Sequence, residues 1–224
     1  MPAMDGVYPV CKRRYGIPAR DTQGAMARTT TNRRMGPVGS DNWHAMLDAA
    51  EAILLEEGYG ALTSRRIAER VGVKQRLVYY YFQTMDEIIV ETFRRMVQRE
   101  MERMRATLNR DMPVRQLWDV CIHTTDSRVT SEFMALAHRN EALRHEVVHF
   151  IEESRRIQAE AVRQSLLRSG VASQLDADGI ALLATGVALA MTRESGLGVT
   201  MGHDSLIEMI EAFLDRVEPG SSHP

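Results

Sequence analysis

The sequence predicts an all-α protein, with a three-helix helix-turn-helix unit near the N-terminus and a larger helical domain after it. Three observations predict this. Residues 58–89 (GYGALTSRRIAERVGVKQRLVYYYFQTMDEII) read as two short helices around a Gly turn, an aromatic cluster and the start of a further helix. From about 113 to 217 the apolar residues keep helical spacing, and no alternating strand pattern interrupts them. Breaks fall at Ser169-Gly170, Gly196-Leu197-Gly198 and Gly202, where helices are expected to end.

Residues 1–40 are rich in Arg, Thr, Gly and Pro and lack apolar periodicity, so they are expected to be disordered. Seven basic residues there (Lys12, Arg13, Arg14, Arg20, Arg28, Arg33, Arg34) face two acids, which suits an arm on the DNA backbone or in the minor groove. The alternative is a solvated charged tail. Met26 and Met35 are each a potential start.

Residues 41–57 form an amphipathic helix with Asp41 as the expected cap, Met46, Ala50, Ile53 and Leu54 on one face, and Gly58 at its end. Thr63 is suited to cap the next helix, about Ser64 to Val71, whose buried face is Ile67, Ala68 and Val71. Gly72 supplies a turn that needs positive φ. The second helix of the pair is expected from about Lys74 to Phe82. Thr84 and Glu87 are spaced as a capping box for a fourth helix running to about Leu108. Further helices are expected at 113–124, 129–138, 141–169, 175–195 and 203–217. The stretch 180–191 is apolar almost all round, which predicts burial. The last helix carries Leu206, Ile210, Phe213 and Val217 on one stripe, expected to pack in a two-fold interface or inside the monomer.

The order of Gly58, Leu62-Thr63, Ile67-Ala68, Gly72-Val73, Tyr79-Tyr80-Tyr81-Phe82 and Asp86-Glu87 resembles the TetR family of transcriptional repressors, over roughly residues 41–90. Two positions depart from the family pattern. Lys74 stands where Ser is usual before the second helix, and Met85 where a phosphate-contacting Lys is usual. The resemblance implies a homodimer on a double-stranded, palindromic DNA operator, with the last two helices building the dimer interface. It also implies a small-molecule effector bound in the C-terminal domain. The chain then divides into a basic arm (1–40), a helix-turn-helix domain (41–90), an effector-binding and dimerisation domain (91–218) and a tail (219–224).

The charge distribution agrees with this reading. The formal net charge of the 224 residues is −2, but it is uneven. Residues 1–84 hold 12 Lys and Arg against 8 Asp and Glu, whereas residues 85–224 hold 16 against 22. A basic end and an acidic body suit a protein that touches DNA with one end. Cys11 and Cys121 give neither a disulfide framework nor a CxxC motif, so a reduced, cytoplasmic setting is expected. No apolar run is long enough to span a bilayer, and no secretory signal is expected.

Lys74, Gln75, Arg76, Tyr79 and Tyr80 are the expected DNA contacts of the second helix. Gln pairs with adenine and Arg with guanine through two hydrogen bonds each, while tyrosines reach phosphates and thymine methyls. The resemblance adds Arg65 as a base contact and Thr63 as a phosphate contact. For the effector, the candidate apolar lining is Trp118, Cys121, Ile122, Phe133, Met134, Phe150 and Met191, with His123, His138 and Arg193 as polar contacts. These residues are equally compatible with ordinary core. A largely hydrophobic effector is expected, with no cofactor and no metal.

One motif points to a different class. His145-Glu146-Val147-Val148-His149 matches H-E-x-x-H, which places two imidazoles and a carboxylate on one helix face, as in zinc hydrolases. A metal-dependent enzyme is therefore an alternative, though no third ligand is evident. An activator or architectural protein of the same fold is another, since a helix-turn-helix does not fix the sign of regulation.

Overall fold

The computed structural model describes residues 36–108, 111–123, 127–170 and 176–219, with the side chains at 107, 108, 123, 127 and 128 outside that description. Residues 1–35 of the arm expected at 1–40, and the end of the tail, therefore lie outside the described residues. The described residues hold nine helices and no strand: α1 Asp41–Glu57, α2 Ser64–Val71, α3 Gln75–Tyr81, α4 Met85–Leu108, α5 Pro113–His123, α6 Ser127–Ala137, α7 Glu141–Ser169, α8 Ala177–Gly196 and α9 His203–Val217. A single 3-10 turn, Tyr59–Ala61, links α1 to α2. No described helix is long and apolar enough to cross a membrane.

The caps follow the local chemistry, with one correction. Ser40, not Asp41, caps α1, its Oγ accepting from the Trp43 N–H at 3.4 Å. Asp41 lies inside the first turn, where a negative charge favours the helix dipole without capping it. Thr63 caps α2, its Oγ1 accepting from the Arg66 N–H at 3.1 Å. Lys74 occupies the cap position of α3 and makes no side-chain cap bond, as the missing Ser implied. The Thr84 hydroxyl accepts from the Glu87 N–H at 3.1 Å, and the Glu87 carboxylate accepts from the Gln83 N–H at 2.9 Å.

Gly72 sits at φ 78°, ψ 28° and ends α2, its N–H reaching the Glu69 carbonyl while the Val73 N–H reaches Ala68. A side chain is strained at that φ, so the angle between α2 and α3 depends on this glycine.

The main core joins the DNA-binding helices to the rest of the chain. Met46, Leu47, Ile53 and Leu54 of α1, Ile67 of α2, Val78 of α3 and Phe82 pack with Ile88, Ile89 and Phe93 of α4. The same cluster continues into Phe133 of α6 and Leu143 and Val147 of α7. The Trp43 and Phe82 rings stack with centroids 6.0 Å apart, and Phe93 meets Phe133 at 4.9 Å. The core thus crosses residue 90, because the single rod α4 serves both regions.

The C-terminal helices divide their apolar residues between core and surface. In α8, Leu182 and Leu183 are 58% and 68% exposed, so the chain alone does not bury the whole of that apolar helix. The α9 stripe turns inward. Leu214 and Val217 are buried, and Leu206, Ile210 and Phe213 pack on a cluster of Trp118, Ala188 and Met191. Helical spacing alone predicts which residues share a face and leaves open which neighbour receives it.

Candidate nucleic-acid interface and effector cavity

The helix-turn-helix presents α3 and the start of α2 on one face. Its cations divide by partner. Arg66 and Arg70 are held by Glu57 and Glu56 of α1, with Arg66 Nη2 donating to Glu57 at 2.9 Å. Arg65 donates through Nε to Glu69 one turn on, at 2.8 Å, and that bond raises its pKa above the ordinary arginine value. Lys74 and Arg76 are exposed, and no carboxylate pairs with either among the described residues. On this face they are therefore cations without a carboxylate partner among the described residues, as a phosphate or guanine contact requires.

The tyrosine run sorts by face. Phe82 is 1% exposed and belongs to the core, and Tyr81 packs partly buried beside it. Tyr79 and Tyr80 are exposed, as three consecutive tyrosines on one helix require. The Tyr80 ring meets Tyr81 edge-on at 5.2 Å. Gly36 lies against both rings; a Cβ built there meets Tyr81 at 2.5 Å. The segment entering α1 is therefore seated on the aromatic end of α3.

A polar chain absent from the sequence reading orients this face. The buried Ser64 hydroxyl donates to Tyr79 Oη at 2.9 Å and accepts from Gln75 Nε2 at 2.8 Å. Gln75 keeps its Oε1 and a second N–H, the pair used in a bidentate contact with adenine. Thr63 caps through its oxygen lone pair, so its O–H remains able to donate to a phosphate.

Below this unit lies a cavity of about 410 Å³ between α4, α6, α7 and α8. Phe93, Met96, Met104, Phe133 and Phe150 make its apolar wall. Glu51 and Leu55 of α1 also line it, so the first helix of the DNA-binding unit is part of the wall. Its charged groups are Glu51, Arg99, Glu100, Arg103 and Arg155. Arg99 pairs with Glu51, and Arg103 with Glu100 at 2.5 Å. The carboxamide of Gln158 accepts from Thr185 Oγ1 at 2.8 Å, and its Nε2 is 3.8 Å from Cys121 Sγ. Burial, with help from Glu100, pushes the Cys121 thiol up to about 11, so it is protonated at neutral pH.

Residues 46–92 match the model of the bacterial regulatory proteins, tetR family. The match covers the helix-turn-helix unit, from α1 into α4, and gives that unit the DNA-binding role of these regulators. Solved structures carry the same fold. A TetR transcription regulator from Haloarcula marismortui is 18% identical with a TM-score of 0.65, over 80% of this chain and 96% of the other. A putative transcriptional regulator from Pseudomonas aeruginosa is 20% identical with a TM-score of 0.62, over 79% and 90%. The SmeT–triclosan complex is 22% identical with a TM-score of 0.52, over 70% and 83%. No curated protein sequence matches the chain.

The expected effector residues fall into three groups. Cys121, Phe133, Met134 and Phe150 line the cavity. Trp118, Ile122 and Met191 do not; they form the packing between α5, α8 and α9. His138 and Arg193 are corrections too, since both are exposed and neither reaches the cavity. His138 ends α6 as a capping element, its backbone carbonyl accepting from Arg144 at 3.0 Å. The His123 side chain lies outside the described residues.

The polar groups that do line the cavity were missed because α7 reads as a long charged helix. The available signal was spacing. Phe150, Ile151, Ser154, Arg155 and Gln158 fall on one stripe, mixing polar and apolar residues.

The H-E-x-x-H residues serve the helix instead. His145 and His149 are exposed, and Glu146 accepts from Arg94 Nη2 at 2.6 Å, a bond that holds its carboxyl below the usual carboxylate range. No group of three His, Cys, Asp or Glu among the described residues is placed to hold a metal.

Proposed function

We propose that the chain is a homodimeric repressor that leaves a palindromic operator when a small, largely hydrophobic ligand fills the cavity. The observation that carries this reading is the shared wall. Leu55 and Glu51 line the cavity and belong to α1, whose other face packs on α2 and α4. A ligand there contacts the DNA-binding unit directly. It favours whichever α1 position suits the filled cavity, and the population shifts away from the DNA-competent geometry. SmeT in complex with triclosan supports a small-molecule ligand for this chain.

The two-fold partner sits on the outer face of α8 and α9, where Leu182, Leu183, Ile207 and Met209 are exposed. The regulator works in the cytoplasm, beside its DNA. Thr63, Arg65, Lys74, Gln75, Arg76, Tyr79 and Tyr80 make the DNA contacts.

The test selects binding sites for the purified chain from a random duplex pool, then titrates hydrophobic ligands against the selected site. The reading expects inverted repeats with half-site centres about one helical turn, or a multiple of it, apart. It also expects release by ligands that raise the melting temperature. Single asymmetric sites refute the dimer, and DNA affinity indifferent to every stabilising ligand refutes the coupling.

A further inference from the structure

The charged groups of the cavity do not balance. Three arginines, Arg99, Arg103 and Arg155, line it, against two carboxylates, Glu51 and Glu100. Arg99 is bound to Glu51 and Arg103 to Glu100. Beyond the cavity, Glu153 is taken by Arg105 at 3.0 Å and by Arg156 at 2.9 Å. No hydrogen-bond or ion-pair partner for Arg155 exists among the described residues, and its Nε is fully buried with its N–H unmet.

The neighbouring polar groups do not fill that role. Ser154 Oγ bonds the Phe150 carbonyl at 2.7 Å and the Gln158 carbonyl oxygen accepts from Thr185, and neither reaches Arg155 Nε. The Cys121 thiol is protonated at neutral pH and supplies no counter-charge. An unmet, buried, charged donor is costly, and native structures resolve such groups with a partner. The cavity that Arg155 lines is walled in large part by Phe93, Met104, Phe133 and Phe150, whose side chains accept no hydrogen bond.

We propose that the effector is an amphipathic monoanion, whose carboxylate pairs with Arg155 while its hydrocarbon body lies among Phe93, Phe133 and Phe150. This rests on the cavity being the effector site. The planar guanidinium matches a carboxylate through two parallel N–H···O bonds, so one end of the ligand is fixed in orientation as well as held. Glu51 and Glu100 at the same cavity disfavour a second negative charge. Amines and other cations find Arg155 repulsive and both carboxylates already taken.

The discriminating probes are acids and alcohols of one skeleton: octanoate with octan-1-ol, dodecanoate with dodecan-1-ol, and 4-phenylbutanoate with 4-phenylbutan-1-ol. Each is titrated against the full-length chain by thermal shift and calorimetry at neutral pH, then tested for release of the selected operator. The wild type is expected to prefer the acid of at least one pair by about 10- to 100-fold, the range of a hydrogen bond to a charged group. Arg155→Met, which keeps much of the side-chain volume, is expected to bind acid and alcohol alike. Arg155→Lys keeps the charge without the planar fork and is expected to retain part of the preference, which secures the test should Arg155→Met fold poorly.

Equal binding of acid and alcohol by the wild type overturns the anionic head while leaving the apolar cavity standing. So does an acid preference that survives in Arg155→Met. If no acid and no alcohol stabilises the wild type, the cavity itself is not the effector site and both readings fall.

Discussion

Glu218 gives the sharpest structural prediction. It follows α9 and is 6% exposed, yet its two carboxylate oxygens serve three donors on two other helices. The Val114 N–H reaches Oε1 at 2.9 Å and the Arg115 N–H reaches Oε2 at 3.0 Å, so the carboxylate satisfies the free N-terminus of α5. The buried Ser165 hydroxyl of α7 also donates to Oε1. Glu218→Gln preserves the shape and removes one acceptor. One buried N–H is left facing an amide NH2, at about 1–3 kcal/mol, and two charge-assisted bonds fall to roughly neutral strength. The loss is then about 3 kcal/mol. For a chain of this size each kcal/mol moves the melting temperature by about 2–4 °C, so a fall of about 6–12 °C is expected. Circular-dichroism melts at one fixed protein concentration measure it, because dimerisation makes the midpoint concentration-dependent. The control is Asp215→Asn. Asp215 pairs with Arg115 at 2.7 Å but is largely exposed, and its loss is expected to cost about 0–1 kcal/mol. A fall of less than about 2 °C for Glu218→Gln refutes the assignment of Glu218 as the pin between α5, α7 and α9.

The remaining predictions concern DNA, assembly and acid. Arg76→Ala is expected to weaken binding to the selected operator by about 1–3 kcal/mol, whereas Arg66→Ala, whose side chain is held by Glu57, is expected to change it far less; fluorescence anisotropy compares them. Leu183→Glu is expected to give monomers by sedimentation with the helix content kept, because Leu183 is exposed in the single chain; an intact dimer moves the interface elsewhere. Glu146 has a lowered folded pKa, chiefly from its hydrogen bond with Arg94, so its contribution is present above the unfolded value and lost as pH falls through the folded one. Glu146→Gln is expected to lower stability at neutral pH and to make the acid limb of the stability profile shallower; an unchanged limb refutes the linkage.

The DNA-binding unit was legible because its signals are local. Thr63, Gly72 and the tyrosine run each act within a few residues, and a cap, a left-handed turn and an exposed face follow from residue type and spacing alone. The cavity was only half legible. Phe133, Met134 and Phe150 were found by their apolar spacing, but Trp118 and Met191 have the same spacing and pack against α9 instead. Which apolar residue borders a void and which fills one depends on helix crossing positions, to which one-dimensional periodicity is blind. Two of the expected polar contacts failed for a related reason. His138 and Arg193 stood out by type, while Arg155 was hidden among the charges of α7. Only the three-dimensional pairing shows that its neighbours Arg105 and Arg156 share Glu153 and that Arg155 has no partner.

The same pairing bears on how a ligand signal reaches the DNA face. Several polar links tie α1 and the turn after it to the body: Arg95 to Asp48 and the His44 carbonyl, Arg99 to Glu51, and the Tyr59 N–H to Glu132 of α6 at 3.0 Å. Most are exposed, and an exposed pair contributes about 0–1 kcal/mol, less than the roughly 1–3 kcal/mol of a typical allosteric coupling. No one of them is enough to transmit the signal. The apolar cluster is better suited. Phe93 and Phe133 both face the cavity and meet at 4.9 Å, and both belong to the core that holds Ile53 of α1, Val78 of α3 and Phe82. Interiors packed to this density have little free volume, so a ligand that separates the two rings displaces the neighbours instead of compressing them. The displaced neighbours include the residues that seat α3. The position of α3 and the filling of the cavity therefore depend on one packed cluster, with the ion pairs of α1 adjusting at its surface.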